Sequence, residues 1–275
     1  MGHACEPEHG QRPEQEVYGH IERWRNPSLE GEYTYVYRDG IDLKRSWGGE
    51  VRNVAVLVAI GVDPDGYRNV LGVAEGAKED KTSWTGFLRH LKERGLKGVQ
   101  LIVSDKCLGL VESLADFFPD AEWQRWVVPF YRNVFTTVPK SKVKEVAVML
   151  KAIHAQEARP EAEEKLQAVG AKLESMKLMK AAGLVREGAP ETLSYYGFPQ
   201  AHWRRSRTSN PLERVMREIR RCTRIVGAFP DGESALMLVA VRLRHIAGSK
   251  WGTKRYLSMD RIDEQALSEE IERAI

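Results

Sequence analysis

The sequence predicts an α/β fold in which helices pack on one mixed β-sheet and a long all-helical segment follows. Three runs of apolar and β-branched residues, 32–45, 51–63 and 67–76, are separated only by short turns, which predicts an antiparallel meander. Two shorter strands then alternate with amphipathic helices. From about Tyr131 to Phe198 no strand pattern is present. The predicted order of elements is therefore β-β-β-α-β-α-β, followed by helices.

The first two runs predict strands by different patterns. Residues 32–45 alternate roughly between polar side chains and aromatic or branched ones, as a strand with two unlike faces does. Residues 51–63 are almost continuously apolar, which predicts a central strand covered on both faces. After this strand, Pro64 presets φ and Gly66 accepts a left-handed backbone, so a tight turn is predicted.

Helices alternate with the remaining strands. The predicted elements are a helix at 80–95, a strand at 99–105, a helix at 108–119 and a strand at 122–128. Apolar stripes beyond them predict two more helices, one marked by Val143, Val146, Leu150 and Ile153 and one by Leu166, Val169, Leu173 and Met176. Packing of these helices on each other explains both stripes without a cofactor or a coiled-coil partner.

These patterns divide the chain into five regions. The polar start, 1 to about 16, predicts disorder, and a short helix is expected after it. The predicted regions are an N-terminal stretch at 1–30, the first part of the core at 31–135, a helical insertion at 136–203, core helices at 204–250 and a C-terminal tail at 251–275.

Composition excludes several classes of protein. The chain has 275 residues, of which 42% are hydrophobic, enough to bury a good core. It contains neither an apolar run of membrane-spanning length nor an apolar signal core at its start, so neither membrane insertion nor secretion is expected. Its three cysteines lie far apart, which is typical of reduced thiols in a cytoplasmic protein. A net charge of +3 does not identify a nucleic-acid binder, so the distribution of charge matters more.

Two acids stand where chemistry is expected. Asp39 lies within the first strand, and Asp105 follows the fourth strand at its carboxyl end, where ligands of parallel strands usually bind. If these strands are neighbours, the two carboxylates converge and form a hard oxygen site for Mg²⁺ or Mn²⁺. Two such ions, roughly 3.5–4 Å apart, activate a water or a 3′-hydroxyl and stabilise the leaving oxygen at phosphorus.

Each of these acids also has a purely structural interpretation. Asp39 with Gly40 is typical of an Asp-Gly hairpin turn, and Asp105 is a plausible cap for the helix after it. Glu213 has the strongest such interpretation. Asn210, Pro211 and Glu213 match the N-cap, N1 and N3 positions of a capping box, which explains Glu213 without catalysis.

A basic stretch surrounds Glu213. From Arg204 to Arg224 the chain has eight arginines and two acids, Glu213 and Glu218. One helical face is predicted to carry Arg214, Arg217, Arg221 and Arg224, and Arg204, Arg205 and Arg207 precede it. A solvated face usually interleaves acids with bases, whereas crowded like charges repel unless an anion neutralises them. Phosphate contact is therefore favoured over simple solvation, and Trp203 is expected either to stack on a base or to be buried.

Three long stretches closely resemble the Mutator-type transposases of bacterial insertion sequences. They are YRDGIDLKRSWGGEVRNVAVLVAIGVDPDGYRNVLGVAEGAKEDKTSW, LIVSDKCLGLVESLADFFP and RTSNPLERVMREIRRCTRIVGAFPDGESALMLV. The resemblance extends from about residue 17 to the end, in order and with similar spacing. It implies a ribonuclease-H-like core with a helical insertion before the last catalytic helix. In that family the catalytic residues are a DDE triad, which by motif falls on Asp39, Asp105 and Glu213.

The resemblance also implies an activity and its partners. The expected reaction is Mg²⁺- or Mn²⁺-dependent cleavage of DNA strands at element ends, followed by strand transfer into target DNA, with two ions held by the triad. Double-stranded DNA is the expected partner, bound by the arginines around Glu213. A homodimer or higher oligomer on DNA is expected, because two ends must be brought together.

Three features depart from the family pattern. The family's DNA-binding region before the core is largely missing, so an N-terminally truncated member is expected. Trp126 and Pro129 stand where the family usually has a Cys-x-x-His pair. Asp42 stands where an aromatic residue is usual, and in a regular strand it points opposite to Asp39.

The departures leave two alternatives to an active transposase. One is a catalytically inactive remnant that still binds DNA or pairs with full-length transposase. The other is a different nuclease on the same fold, such as a resolvase, against which the Asn210-Pro211-Leu212-Glu213-Arg214 motif argues.

Overall fold

A computed structural model describes residues 13–47, 50–76, 80–106, 108–208 and 210–265. Its strands are β1 (Tyr35–Trp47), β2 (Glu50–Val62), β3 (Arg68–Gly76), β4 (Leu101–Ser104) and β5 (Glu122–Arg125). They form one sheet in the order β3-β2-β1-β4-β5. Strands β1, β2 and β3 pair antiparallel, whereas β4 is parallel to β1 and β5 is parallel to β4. The predicted α/β fold with a mixed sheet is confirmed.

Helices and the segments that connect them occupy the rest of the described chain. They are α1 (Pro13–Arg25), α2 (Lys81–Glu93), α3 (Leu108–Phe117), α4 (Val127–Thr136), α5 (Val143–Ile153), α6 (Arg159–Ser175), α7 (Met179–Gly188), α8 (Gln200–Ser206), α9 (Asn210–Val226), α10 (Gly232–Ala247) and α11 (Lys250–Thr253). Helix α1 begins earlier than predicted and includes the end of the stretch expected to be disordered. Residues 1–12 of that stretch lie outside the described residues. No helix in the described ranges is long and apolar enough to cross a membrane.

Side chains of β1 alternate between two cores, one on each face of the sheet. Tyr35, Tyr37 and Ile41 belong to a cluster that includes buried residues of α9 and α10. Val36 belongs to a second cluster, built with buried residues of α2. Because successive side chains of a strand point to opposite faces, the position of each β1 residue determines which helical layer it faces.

The turn between β2 and β3 follows the predicted chemistry. Gly66 has φ of +86°, a conformation that glycine adopts without steric cost. Its amide donates to the carbonyl of Asp63 at 2.9 Å. A Cβ at this position would lie 1.9 Å from the carbonyl oxygen of Leu257. Glycine is therefore required both by the turn and by the C-terminal segment packed against it.

The fifth strand is shorter than predicted. It ends at Arg125, and the residues expected to complete it, Trp126 to Val128, instead lead into α4. Trp126 is the N-cap residue of α4, with its side chain 3% exposed in the core beneath α9. Pro129 falls in the first turn of α4 and not at a strand end. Backbone N–H groups there have no partner within the helix, so proline is tolerated.

The predicted helical insertion has its own core. Helices α5, α6 and α7 bury one apolar cluster, to which Val146, Leu150, Leu166 and Leu173 belong as their spacing predicted. Phe130 of α4 lies in the same cluster. Helix α4 therefore joins the helical layer directly to the end of β5.

Candidate active site and basic groove

Asp39 lies in β1, and Asp105 directly follows β4, the strand that pairs parallel to β1. The register of β1 and β4 pairs Tyr35 with Leu101 and Tyr37 with Val103. Each aspartate comes two residues after the second of these pairs, so both lie the same number of residues beyond the paired part of the two strands. The adjacency on which the predicted convergence depended is confirmed.

Local backbone contacts orient the two carboxylates. Asp39 is half-buried, and its Oδ1 accepts a hydrogen bond from the amide of Gly40 at 2.9 Å. Asp105 is exposed, and its Oδ1 accepts from the amide of Lys106 at 2.9 Å. Asp39 pairs with Val58 inside the β1–β2 ladder. The hairpin-turn interpretation of Asp39 is therefore wrong. The predicted capping of α3 by Asp105 would involve residue 107, which lies outside the described residues, so it stays a prediction.

Strand alternation directs Asp39 toward the layer that contains Glu213. Asp39 shares its face of β1 with Tyr37 and Ile41, which pack in the cluster beneath α9. Leu212, beside Glu213, is fully buried in that cluster. Asp42 lies on the opposite face of β1 from Asp39 and is exposed, as strand alternation predicts.

Glu213 lies in the first turn of α9. Its side chain is 37% exposed, and its Oε1 is 3.9 Å from Nη2 of Arg132 in α4. Among the described residues no three His, Cys, Asp or Glu side chains lie close enough to hold a metal ion together. The structure thus places Asp39 and Asp105 on neighbouring parallel segments, and the assembly of the three acids into one metal site stays a prediction. The predicted cap partners of Glu213, Asn210 and Pro211, have side chains outside the described part of the chain.

The donor chemistry of the three acids fits a hard divalent cation. All three offer carboxylate oxygens, the ligand type that Mg²⁺ and Mn²⁺ prefer. The contact that holds Glu213 at Arg132 is long and solvent-exposed, and pairs of this kind contribute about 1 kcal/mol at most. Little energy is therefore needed to turn Glu213 from Arg132.

A charge network that the sequence did not indicate lies beside Asp105. Nζ of Lys106 is 2.5 Å from Oε1 of Glu191, and Nη1 of Arg125 is 3.2 Å from Oε2 of the same residue. Glu191 belongs to a 3₁₀ turn, Pro190–Thr192, in the helical insertion. It joins the ends of β4 and β5 across separations of 85 and 66 residues, which short-range patterns do not report.

The predicted DNA-binding arginines differ in their surroundings. Six are exposed: Arg204, Arg205, Arg214, Arg217, Arg221 and Arg224. Arg207 is turned inward, since its Nη1 donates to the carbonyl of His154 at 2.7 Å and its guanidinium lies 5.6 Å from the Tyr195 ring centroid. Trp203 packs on Tyr195 and Tyr196 and donates to the carbonyl of Phe198 at 2.6 Å. Of the two expectations for Trp203, burial in the helical core agrees with these contacts.

Three of the exposed arginines open onto a large cavity, called here the basic groove, of about 1,060 Å³. Its charged lining comprises Arg68, Arg204, Arg205, Arg214, Glu218, Arg242, His245, Lys250 and Lys254. In the part of the lining that the structure describes, seven arginines and lysines therefore face one carboxylate. Glu218 accepts hydrogen bonds from Arg242 and Arg221, and these lower the pKa of its carboxyl.

The wall that carries Arg204 and Arg205 is fixed to the sheet by a buried histidine. Nδ1 of His202 in α8 is 2.7 Å from the hydroxyl of Tyr35, and its Nε2 is 2.9 Å from the carbonyl of Ser258. Burial lowers the pKa of His202. In the neutral ring, Nε2–H donates to the carbonyl and Nδ1 accepts from the tyrosine. These two bonds join β1, α8 and the C-terminal segment.

Comparison with known proteins identifies the family. The chain matches the family described as Transposase, Mutator family over residues 12–251. The chain belongs to this family. Among its relatives, the transposase for insertion sequence element ISRM5 of Rhizobium meliloti is 35% identical over 237 residues, 86% of this chain and 59% of the relative.

Two further relatives in the Mutator family show similar agreement. The transposase for IS1081 of Mycobacterium tuberculosis is 34% identical over 243 residues, which cover 87% of this chain and 58% of the relative. The transposase for IS406 of Burkholderia multivorans is 36% identical over 242 residues, which cover 87% of this chain and 62% of the relative. This member of the family therefore spans about three fifths of the length of these curated relatives.

Proposed function

We propose that this chain is the catalytic region of an insertion-sequence transposase, which cleaves DNA strands and transfers them with Asp39, Asp105 and Glu213. The observation that carries the proposal is the shared register of Asp39 and Asp105 on neighbouring parallel strands. Family membership supports the same reaction class, and Glu213 lies in the first turn of α9, which packs on the face of the sheet to which Asp39 points.

A ribonuclease-H-like core is part of this proposal. The sheet order β3-β2-β1-β4-β5, with an antiparallel meander and two parallel strands, supports it. So does the position of the helical insertion between β5 and α9, because the third acid then follows the insertion.

The residues of the site have separable roles. Two Mg²⁺ or Mn²⁺ ions, when bound, would lower the pKa of an attacking water or 3′-hydroxyl and stabilise the leaving oxygen. Asp39 and Asp105 would hold them, each oriented by a backbone amide. Glu213 would complete the set after leaving Arg132. Glu191 pairs with the ammonium group of Lys106 beside Asp105, so this cation does not neutralise the negative charge of the site.

DNA is the proposed substrate and partner. The exposed arginines of α8 and α9 are suited to phosphate contact, which positions a duplex without reading its sequence. Arg207 is less suited to phosphate contact, because its guanidinium donates a hydrogen bond to a carbonyl within the helical layer. At least two copies are expected to act together, since strand transfer joins two element ends to one target.

A strand-joining assay tests the proposal. The purified chain receives Mn²⁺, a target plasmid and a pre-nicked duplex carrying the inverted repeat that flanks its gene, so that end cleavage is not required. Joined products are expected from the wild-type chain and from Asp42→Asn, whose side chain is exposed on the opposite alternation. They should be lost in Asp105→Asn and Glu213→Gln, each of which removes a carboxylate from the proposed site.

Other outcomes of the assay identify the alternatives. Absence of joining and nicking by the wild-type chain, with salt-sensitive DNA binding retained, would indicate an inactive remnant. Cleavage of branched DNA regardless of end sequence would indicate a resolvase. Equal activity of wild type and Asp105→Asn would remove the proposed role of the acids.

A further inference from the structure

The basic groove has a second wall that the motif arginines do not supply. Arg204, Arg205 and Arg214 form one side of it, on α8 and at the start of α9. The opposite side comes from other parts of the chain: Arg68 from β3, Arg242 and His245 from α10, Lys250 from α11, and Lys254. The resemblance to transposases carries no statement about these five residues.

We propose that the basic groove binds the phosphodiester backbone of duplex DNA, through its phosphates and not through its bases. The inference rests on the proposed function for the choice of ligand. It adds a binding site that extends from α8 and the start of α9 to the C-terminal segment.

Charge is the first argument for an anionic ligand. Among the described residues, seven arginines and lysines line one cavity with a single carboxylate, Glu218, which already accepts hydrogen bonds from two arginines. Burial lowers the pKa of Arg68, and the nearby charges of Arg205 and Arg214 lower it further. Cations placed so close together repel each other unless an anion neutralises them. A concave surface also concentrates their field on an incoming polyanion.

The aromatic residues of the groove argue for phosphates and against bases. The guanidinium of Arg68 lies 4.6 Å from the ring centroids of both Trp251 and Tyr256. The guanidinium of Arg205 lies 4.9 Å from the Tyr256 ring centroid. Trp251 is also buried. Because cations already cover these rings, they are poorly placed to stack on bases, as single-strand binding sites require.

Residues of the basic groove are linked to the elements that carry the proposed catalytic acids. Arg214 lines the groove, and the residue before it is Glu213. Tyr37, two residues before Asp39, donates a hydrogen bond from its hydroxyl to the carbonyl of Arg205 at 3.4 Å. One end of the groove is therefore joined to both β1 and α9 where they carry acids. A duplex seated in it would pass beside the proposed catalytic edge.

The test measures binding of the purified chain to a 20-base-pair duplex of unrelated sequence, by fluorescence anisotropy over a series of salt concentrations. The Lys250→Gln/Lys254→Gln variant removes two exposed cations of the second wall. It is expected to weaken binding roughly tenfold or more at about 0.1 M salt and to reduce the slope of log K against log salt by about two. The matched control is Lys165→Gln/Lys172→Gln, the same charge change on exposed residues of α6, which should bind as wild type does.

Three results would overturn the proposal. They are equal losses in the two double variants, no binding of the duplex by the wild-type chain at low salt, and tighter binding of an equally long poly(dT) with quenched tryptophan fluorescence. The first indicates a general charge effect, and the last indicates base stacking on a single strand.

Failure of the groove and failure of the proposed function are distinguishable. Strand joining by the wild type and by Asp105→Asn tests the catalytic proposal, whereas duplex binding by the lysine pair and by its α6 control tests the groove. If no variant joins strands but the lysine pair still weakens binding, the groove stands and the catalytic proposal falls. If joining depends on Asp105 but the lysine pair changes nothing, the reverse holds.

Discussion

Glu191 and Lys106 form a 2.5 Å ion pair that joins the helical insertion to the residue after Asp105. The same carboxylate contacts Arg125 at the end of β5. Without Glu191, two cations at the ends of β4 and β5 would lack this counter-charge. The insertion thereby contributes to the electrostatics of the proposed site as well as to its outline.

Glu191→Gln is expected to raise the Mg²⁺ requirement of strand joining. Without Glu191, the ammonium group of Lys106 can pair with the ionised carboxylate of Asp105. An opposite charge within a few ångströms stabilises that carboxylate, so the ammonium group competes with the metal for it. The half-saturating Mg²⁺ concentration should rise roughly threefold or more, by the size of such charge interactions near a surface. Titration of joining rate against Mg²⁺ measures it, with the exposed Glu187→Gln as control. An unchanged half-saturating concentration would show that Lys106 does not reach Asp105.

Trp126→Cys is expected to destabilise the fold, although it restores a residue usual in the family. Trp126 is 3% exposed in the core beneath α9, so its removal leaves a cavity that costs about 3 kcal/mol or more. Its indole Nε1 is buried without a hydrogen-bond partner among the described residues, which offsets a part of this loss. Urea unfolding measures the difference. Pro129→His should change stability by less than about 1 kcal/mol, because the first helical turn tolerates either residue; comparable losses for both variants would contradict this.

Periodic patterns predicted the sheet well because its strands are defined by local sequence. The apolar run 51–63 became β2, an interior strand of the sheet, and the turn at Gly66 has the left-handed backbone that its sequence required. The matching positions of Asp39 and Asp105 depend on the parallel pairing of β1 with β4, which the structure contains. These features depend on residues close in sequence, or on one pairing that the chain order already favours.

The features that the sequence did not predict depend on distant residues. Arg68 and Lys254 lie on one groove although 186 positions separate them. Trp126 was expected in a strand because the run 122–128 carries two tryptophans and two valines, but the strand ends at Arg125 and Trp126 is buried beneath α9. Arg207 was predicted to bind DNA because it lies in the basic stretch before α9, whereas a carbonyl of the insertion holds it inward. Tertiary contacts override local patterns in each case.

Gly66→Ala is expected to lower the free energy of unfolding by about 2 kcal/mol or more. Its φ of +86° strains any residue with a Cβ, and that Cβ would collide with the Leu257 carbonyl at 1.9 Å. Gly86→Ala in α2 is the matched control, because its Cβ would meet no atom within 4 Å. Alanine should stabilise that helix by about 0.5–1 kcal/mol. Urea unfolding of both variants measures the contrast, and similar effects at the two positions would refute the close approach at Leu257.

His154 is expected to make the protein less stable as the pH falls. Burial, and then the nearby charge of Arg207, lower the pKa of its imidazole to about 3 from an ordinary value near 6.5. Between these values the unfolded chain binds more protons than the folded one, so stability is complete above about pH 6.5 and declines toward pH 3, by about 1.4 kcal/mol per pH unit. His154→Gln should flatten this decline in urea unfolding measured from pH 7 to pH 4. The exposed His245→Gln should leave it unchanged; a decline of equal steepness in His154→Gln would assign it to other groups, among them His202, whose pKa burial also lowers.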